Sequence, residues 1–245
     1  MSVLSLLRPG PLGLACEIAG LPVQFAKLAA GLGDLARECP RGDGHMILVL
    51  PGLTATDHST WPMRHFLDSL GYRTAGWELG WNMGITPSGE ARLEAHVERL
   101  AADGPITVLG WSLGGAYARE IARRRPECVR DVITMGTPIR NRKGTGWIVW
   151  WLRLLRPSMA EDLTPEGVER FAQPLSQPTT ALYSPRDGVL SGWSCRVREE
   201  DEGPMARNVQ VDATHLGMGF DLGVLRVLAE TLAEHNALAE EVVAG

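Results

Sequence analysis

The apolar run Ile106-Thr-Val-Leu109 passes without a break into Gly110-Trp-Ser112-Leu-Gly114, and helical spacing begins on its far side at Leu113. Few joints constrain a chain so tightly. A short apolar run bounded in this way reads as a buried strand. The serine then stands at a sharp strand-to-helix turn, where a residue takes a strained backbone conformation. Its neighbours two residues before and after come close together there, and glycine is the residue that brings no side chain into the gap. The pattern is Gly-x-Ser-x-Gly in its strand–turn–helix setting. A helix starting at Leu113 aims unpaired N–H groups at the serine, which favours negative charge developing there.

The same alternation runs through the chain. A turn cluster at Pro40–Gly44 leads into a strand at Met46–Leu50. Ser59 to Leu70 has helical spacing, and Gly71 stops it. Tyr72–Trp77 reads as a second strand and Ala91–Ala102 as a helix. After the helix at Leu113–Arg125 come strands at Val132–Met135, Thr179–Tyr183 and Val209–Val211. A last helix runs from Leu222 to the low 240s. Strands alternating with helices predict an α/β fold, with a mostly parallel central sheet and helices on both faces. No internal repeat or low-complexity linker divides the 245 residues, so residues 1–245 are expected to form one domain. Residues 1–44 read as an N-terminal helical extension.

A serine nucleophile needs a base, and the base needs an orienting acid. In a strand–serine–helix architecture of this kind the acid and the histidine follow the serine in chain order. Of six histidines only His215 and His235 do so. His235 lies in the helical pattern LAETLAEHNALAEE and reads as a solvated helix residue. His215 lies in the glycine-punctuated loop VDATHLGMG, just past a short strand. Asp187, in YSPRDGVLSG, follows the strand ending at Tyr183 and is the candidate acid. Asp212 is a rival, but only three residues from His215 it reads as a strand end or loop cap. No Asp or Glu occurs from Gly136 to Ala160, so an acid after the preceding strand has no candidate. Two backbone N–H groups would complete the site as an oxyanion hole. Leu113 follows the nucleophile and supplies one; Leu53, after the Pro51-Gly52 turn, supplies the other.

Composition removes several other roles. A net charge of −5 argues against non-specific nucleic-acid binding. Cys16, Cys39, Cys128 and Cys195 show no metal-ligand spacing and read as free thiols in a reducing, cytoplasmic compartment. The first 35 residues are rich in Leu, Ala and Gly, but Glu17, Lys27 and Asp34 keep any uncharged run below the roughly 18 residues of a spanning helix. They are expected to lie as helices on the domain, with peripheral membrane contact or self-association through this apolar segment as the alternative.

With these residues in place the chain resembles the α/β-hydrolase superfamily, and within it the bacterial serine esterases and lipases. The resemblance covers most of residues 45–235. It rests on LVLPGL as an oxyanion turn, GWSLGG as a nucleophile elbow, MGTP after the next strand, SPRDGV as an acid turn and THLGMG as a histidine loop. It implies a catalytic triad of Ser112, Asp187 and His215, with the Leu53 and Leu113 amides as the oxyanion hole. Pro51-Gly52 stands where many members carry His-Gly, and the first 44 residues have no counterpart in the core fold. About residues 138–176 would form a cap or lid. There Trp147, Trp150 and Trp151 share one helical face that would wall an apolar pocket or pack as a buried helix. Trp111 and Trp81 could add to that wall or simply pack.

The expected activity is cleavage of a small carboxylic ester with an apolar acyl or alcohol part, through an acyl-enzyme on Ser112, with neither metal nor cofactor. The same triad would serve an acyltransferase, thioesterase, lactonase or amidase. A non-catalytic binding protein on this fold is the reading from a different class.

Overall fold

A computed structural model describes residues 9–140, 173–198 and 206–244. Among these residues, six strands form one parallel sheet. They are β1 (Met46–Leu50), β2 (Arg73–Gly76), β3 (Ile106–Trp111), β4 (Val129–Met135), β5 (Thr179–Tyr183) and β6 (Ala206–Gln210). Their order across the sheet is β2-β1-β3-β4-β5-β6. The helices are α1 (Pro11–Glu38), α2 (Asp57–Leu70), α3 (Pro87–Leu100), α4 (Leu113–Arg124) and α5 (Leu222–Ala244).

The period-two alternation of the strands divides the core into two layers. On β1, Ile47 and Val49 pack with α1, α2 and α5, beside Leu28, Phe66, Leu67, Leu225 and Leu228. Leu48 and Leu50 point the other way and pack with α3 and α4, beside Leu93, Val97, Tyr117 and Ile121. On β3, Leu109 and Trp111 share the first layer while Ile106 and Val108 share the second. Parallel pairing places Leu50 beside Gly110, and Trp111 beside Met135. The carboxyl ends of β1, β3 and β4 therefore meet at one edge.

Element ends differ from the sequence reading where local chemistry extends them. Helix α3 starts at Pro87 rather than Ala91, because the Thr86 hydroxyl accepts the Gly89 amide at 3.2 Å and the proline occupies the first turn. β6 begins at Ala206, three residues before the expected start. Gly71 ends α2 in the left-handed conformation, φ 103°. Among the described residues, the N-terminal extension holds a single 28-residue helix rather than several.

His235 is the main correction. It was expected in solvent, yet it is buried, with Nε2 3.0 Å from the Thr180 hydroxyl and Nδ1 3.1 Å from Asp131. The reason is helical phase. Leu225, Leu228 and Leu232 are the buried stripe of α5, and His235 continues it one turn further.

Candidate active site

Ser112 joins β3 to α4 with φ 54° and ψ −119°, a conformation that non-glycine residues seldom adopt. The surroundings hold it there. The Ser112 amide donates to the Met135 carbonyl at 2.8 Å, and its own carbonyl accepts the Thr137 hydroxyl at 2.9 Å. The flanking glycines are required by close approach. A Cβ on Gly110 would lie 2.3 Å from the Gly115 Cα, and one on Gly114 would lie 2.3 Å from the Leu50 carbonyl oxygen. Both separations are far inside van der Waals contact, so alanine at either position would force the elbow apart.

The structure brings Ser112, His215 and Asp187 together. His215 Nε2 lies 3.0 Å from Ser112 Oγ, and His215 Nδ1 lies 2.7 Å from Asp187 Oδ2. The other carboxylate oxygen of Asp187 accepts the Val189 and Leu190 amides at 2.9 and 2.6 Å, which fixes the carboxylate plane. Asp187 and His215 are both buried, while Ser112 keeps partial exposure. Asp212, the rival acid, is exposed and pairs with Arg186 at 3.2 Å. Burial disfavours charge on His215. The Asp187 carboxylate, by charge and hydrogen bond, and Glu17, by charge, outweigh that burial and raise the imidazole above its ordinary pKa.

The turn after β1 lies against the serine, with Gly52 close enough that a Cβ there would touch the Ser112 Cβ at 3.4 Å. Neither the Leu53 nor the Leu113 amide has an acceptor among the described residues. Asn82 builds this turn and went unnoticed in the sequence. Fully buried, it donates to the Pro51 carbonyl at 2.7 Å, and its backbone bonds Thr54 and Ala55 at 2.7 and 2.8 Å. A single asparagine in a glycine-rich loop carries no signal that it reaches 31 residues back along the chain.

Of the two readings open for Trp111, wall or packing, the structure shows packing. Trp111 turns into the core, where its indole N–H donates to the His215 carbonyl at 3.2 Å and its ring meets Phe220 edge-on at 5.8 Å. β3 continues through residue 111, so Trp111 falls in phase with Leu109. Trp81 stands 70% exposed. Trp147, Trp150, Trp151 and nearly all of the expected cap lie outside the described residues.

Glu17 is a second residue whose part the sequence did not disclose. On α1 it is only 2% exposed, and it accepts three amides: Gly188 at 2.6 Å, His215 at 3.0 Å and Leu216 at 2.7 Å. Burial raises its pKa, against the pull of the Leu216 and His215 amides, the His215 charge and the Gly188 amide. The available signal was a lone acid in an apolar helix, which read as an interruption.

No protein-family model and no curated protein matches the sequence. Solved structures do match. One from work on LipS and LipT, metagenome-derived lipolytic enzymes, has a TM-score of 0.58 at 14% identity, covering 81% of this chain and 96% of that one. An alpha/beta superfamily hydrolase from Oenococcus oeni PSU-1 has a TM-score of 0.57 at 14% identity, covering 79% and 93%. The thioesterase domain from the curacin biosynthetic pathway has a TM-score of 0.54 at 14% identity, covering 79% and 93%. The chain has the α/β-hydrolase fold. The Gly110–Gly114 turn is set at the carboxyl edge of the sheet beside β1 and β4.

Proposed function

We propose that this protein is a serine hydrolase that cleaves carboxylic esters with an apolar acyl or alcohol part. The continuous chain of short contacts from Ser112 Oγ through His215 to Asp187 carries the reading. His215 Nε2 takes the hydroxyl proton as Ser112 Oγ attacks the ester carbonyl. Asp187 holds the imidazole by Nδ1 and stabilises the imidazolium. The oxyanion is met by the Leu53 and Leu113 amides and by the N-terminus of α4. Collapse of the tetrahedral intermediate expels the alcohol, which takes the proton from His215 and leaves an acyl-enzyme. Water activated by His215 then releases the acid. The scheme draws on no metal or organic cofactor.

A thioester, lactone or amide would pass through the same steps, and an alcohol in place of water would make the protein an acyltransferase. A fluorophosphonate probe tests the common core. It is expected to label Ser112, and a Ser112→Ala variant is expected to lose both label and p-nitrophenyl ester turnover. An unlabelled Ser112, or full turnover by the variant, would overturn the assignment. A chain-length series of esters and thioesters then sorts the substrates.

A second proposal concerns α1. Its length and composition would suffice to cross a membrane, with mean hydropathy 1.3 over its most apolar window. Its one charge before Lys27 is Glu17, which points inward, so the outward face from Pro11 to Ala26 carries none. Leu12 is 75% exposed and Val23 60%. Such a face suits the surface of a bilayer. The full chain is expected to float with phosphatidylcholine vesicles and an Ile18→Asp/Val23→Asp variant to stay behind. Equal flotation of the two, or none by either, would remove this proposal.

A further inference from the structure

The loops that carry Asp187 and His215 are both held from outside the sheet, by one face of α1. Glu17 and Gln24 lie seven residues apart on α1, a spacing that keeps them on one side of the helix, and Gly10 is its N-cap. The Gly10 amide donates to the Gly188 carbonyl at 3.0 Å, and Gln24 donates to the Thr214 hydroxyl at 3.0 Å. Gly13 lets the helix backbone come this near, since a Cβ there would lie 2.3 Å from the Gly188 carbonyl oxygen. Between these contacts sits the Glu17 carboxylate. Oε1 takes the amide directly after Asp187 and the amide of His215 itself, while Oε2 takes the next amide, that of Leu216.

We infer that Glu17 is a positioning residue, whose buried carboxylate ties the Asp187 loop to the His215 loop and so sets the alignment of the triad. The inference rests on the serine-hydrolase reading. One rigid, two-oxygen acceptor shared by both loops fixes their separation, and that separation governs the 2.7 Å contact between Asp187 and His215. A neutral amide does this less well. With its oxygen in place of Oε1, the –NH2 of a glutamine would face the Leu216 N–H, donor against donor. Glu17 also adds a second negative charge near the imidazole. The charged groups acting on His215 are Asp187, from the loop after β5, and Glu17, from α1, while the buried Cys195 thiol lies in the field of Asp187.

The test compares four proteins: wild type, Glu17→Gln, Glu17→Asp and Leu28→Ala. Leu28 is buried on the same helix and is none of the residues that hydrogen-bond the two loops. Glu17→Gln is expected to lower kcat by about 10- to 100-fold, with KM changed far less. It should also move the acid limb of the pH profile to lower pH, because His215 loses a neighbouring negative charge. Glu17→Asp keeps the charge but retracts from the amides, so kcat should fall while the acid limb stays near its wild-type position. Leu28→Ala should lower the thermal midpoint and leave the limb in place. A folded Glu17→Gln with wild-type kcat and limb would overturn the inference. So would a loss that merely copies Leu28→Ala, a lower midpoint with an unmoved limb. Should Glu17→Gln not fold, a folded Glu17→Asp with wild-type kcat overturns it equally. Fluorophosphonate labelling of Ser112 in the wild type separates the two claims. With label present, these outcomes bear on Glu17 alone; without label, the hydrolase reading fails and the inference falls with it.

Discussion

Two hydroxyl–histidine–aspartate clusters stand at opposite edges of the same sheet, and their distances are nearly alike. At the carboxyl edge, Ser112, His215 and Asp187 are linked at 3.0 and 2.7 Å. Near the amino-terminal ends of the strands, Thr180 and His235 are hydrogen-bonded at 3.0 Å, and Asp131 lies 3.1 Å from the other ring nitrogen without hydrogen-bond geometry. The second cluster lacks the surroundings of the first. Thr180 is fully buried in the middle of a ladder, in ordinary strand backbone, with no helix beginning beside it. Asp131 is further committed to the Thr107 hydroxyl at 2.9 Å and to Arg130 at 3.3 Å. A triad's distances alone therefore say little about catalysis. The differences lie in the elbow that partly exposes Ser112, the Leu53 and Leu113 amides, which have no acceptor among the described residues, and the α4 terminus behind them. The lower cluster instead pins α5 to the sheet.

The sharpest way to break this comparison is to remove each hydroxyl in turn. Ser112→Ala should lower ester turnover by about 10⁵-fold or more, while Thr180→Ala leaves kcat/KM within a factor of two or so of wild type. Activity lost in the second variant would mean that the two edges communicate. Next come the acids. Asp187→Asn should reduce kcat by about 10³- to 10⁴-fold with the fold intact. Asp131→Ala should instead destabilise the fold by about 3 kcal/mol, as a buried charge partner is removed from Arg130 and His235, which urea denaturation would read.

The pH dependence separates the histidines. In the proposed mechanism only the neutral imidazole of His215 can act as base, so kcat/KM should fall as pH drops through its raised pKa. The midpoint of that acid limb is expected above about 6.5, and His235→Gln should not move it. A midpoint below the ordinary histidine value would contradict the balance of charge around His215. The smallest effect belongs to Thr180→Val, which deletes one buried hydroxyl and should cost about 1 kcal/mol of stability, with the pH profile unchanged.

Much of the site could be read from the chain because its parts are local. The elbow needs glycines at fixed offsets from a serine, and the acid and histidine lie in turn sequences directly after strands. The residues that escaped notice act over long separations. Asn82 reaches Pro51, Glu17 reaches 171 residues along the chain to Gly188, and His235 reaches back to Thr180. β3 runs two residues beyond the expected strand, so Trp111 packs beneath the histidine loop, the second of the two roles open to it.

By itself, then, the sequence determined the alternation of strands and helices, the strained serine and the one histidine loop late enough to serve it. These follow from local sterics and from hydrophobic periods of 2 and 3.6, which act over a few residues. Only the tertiary structure decided which acids and histidines meet. The same residue types form a partly open triad at one edge and a closed staple at the other, according to what packs around them. It also decided that the lone acid of an apolar helix faces inward. There three backbone amides from two distant loops converge on it.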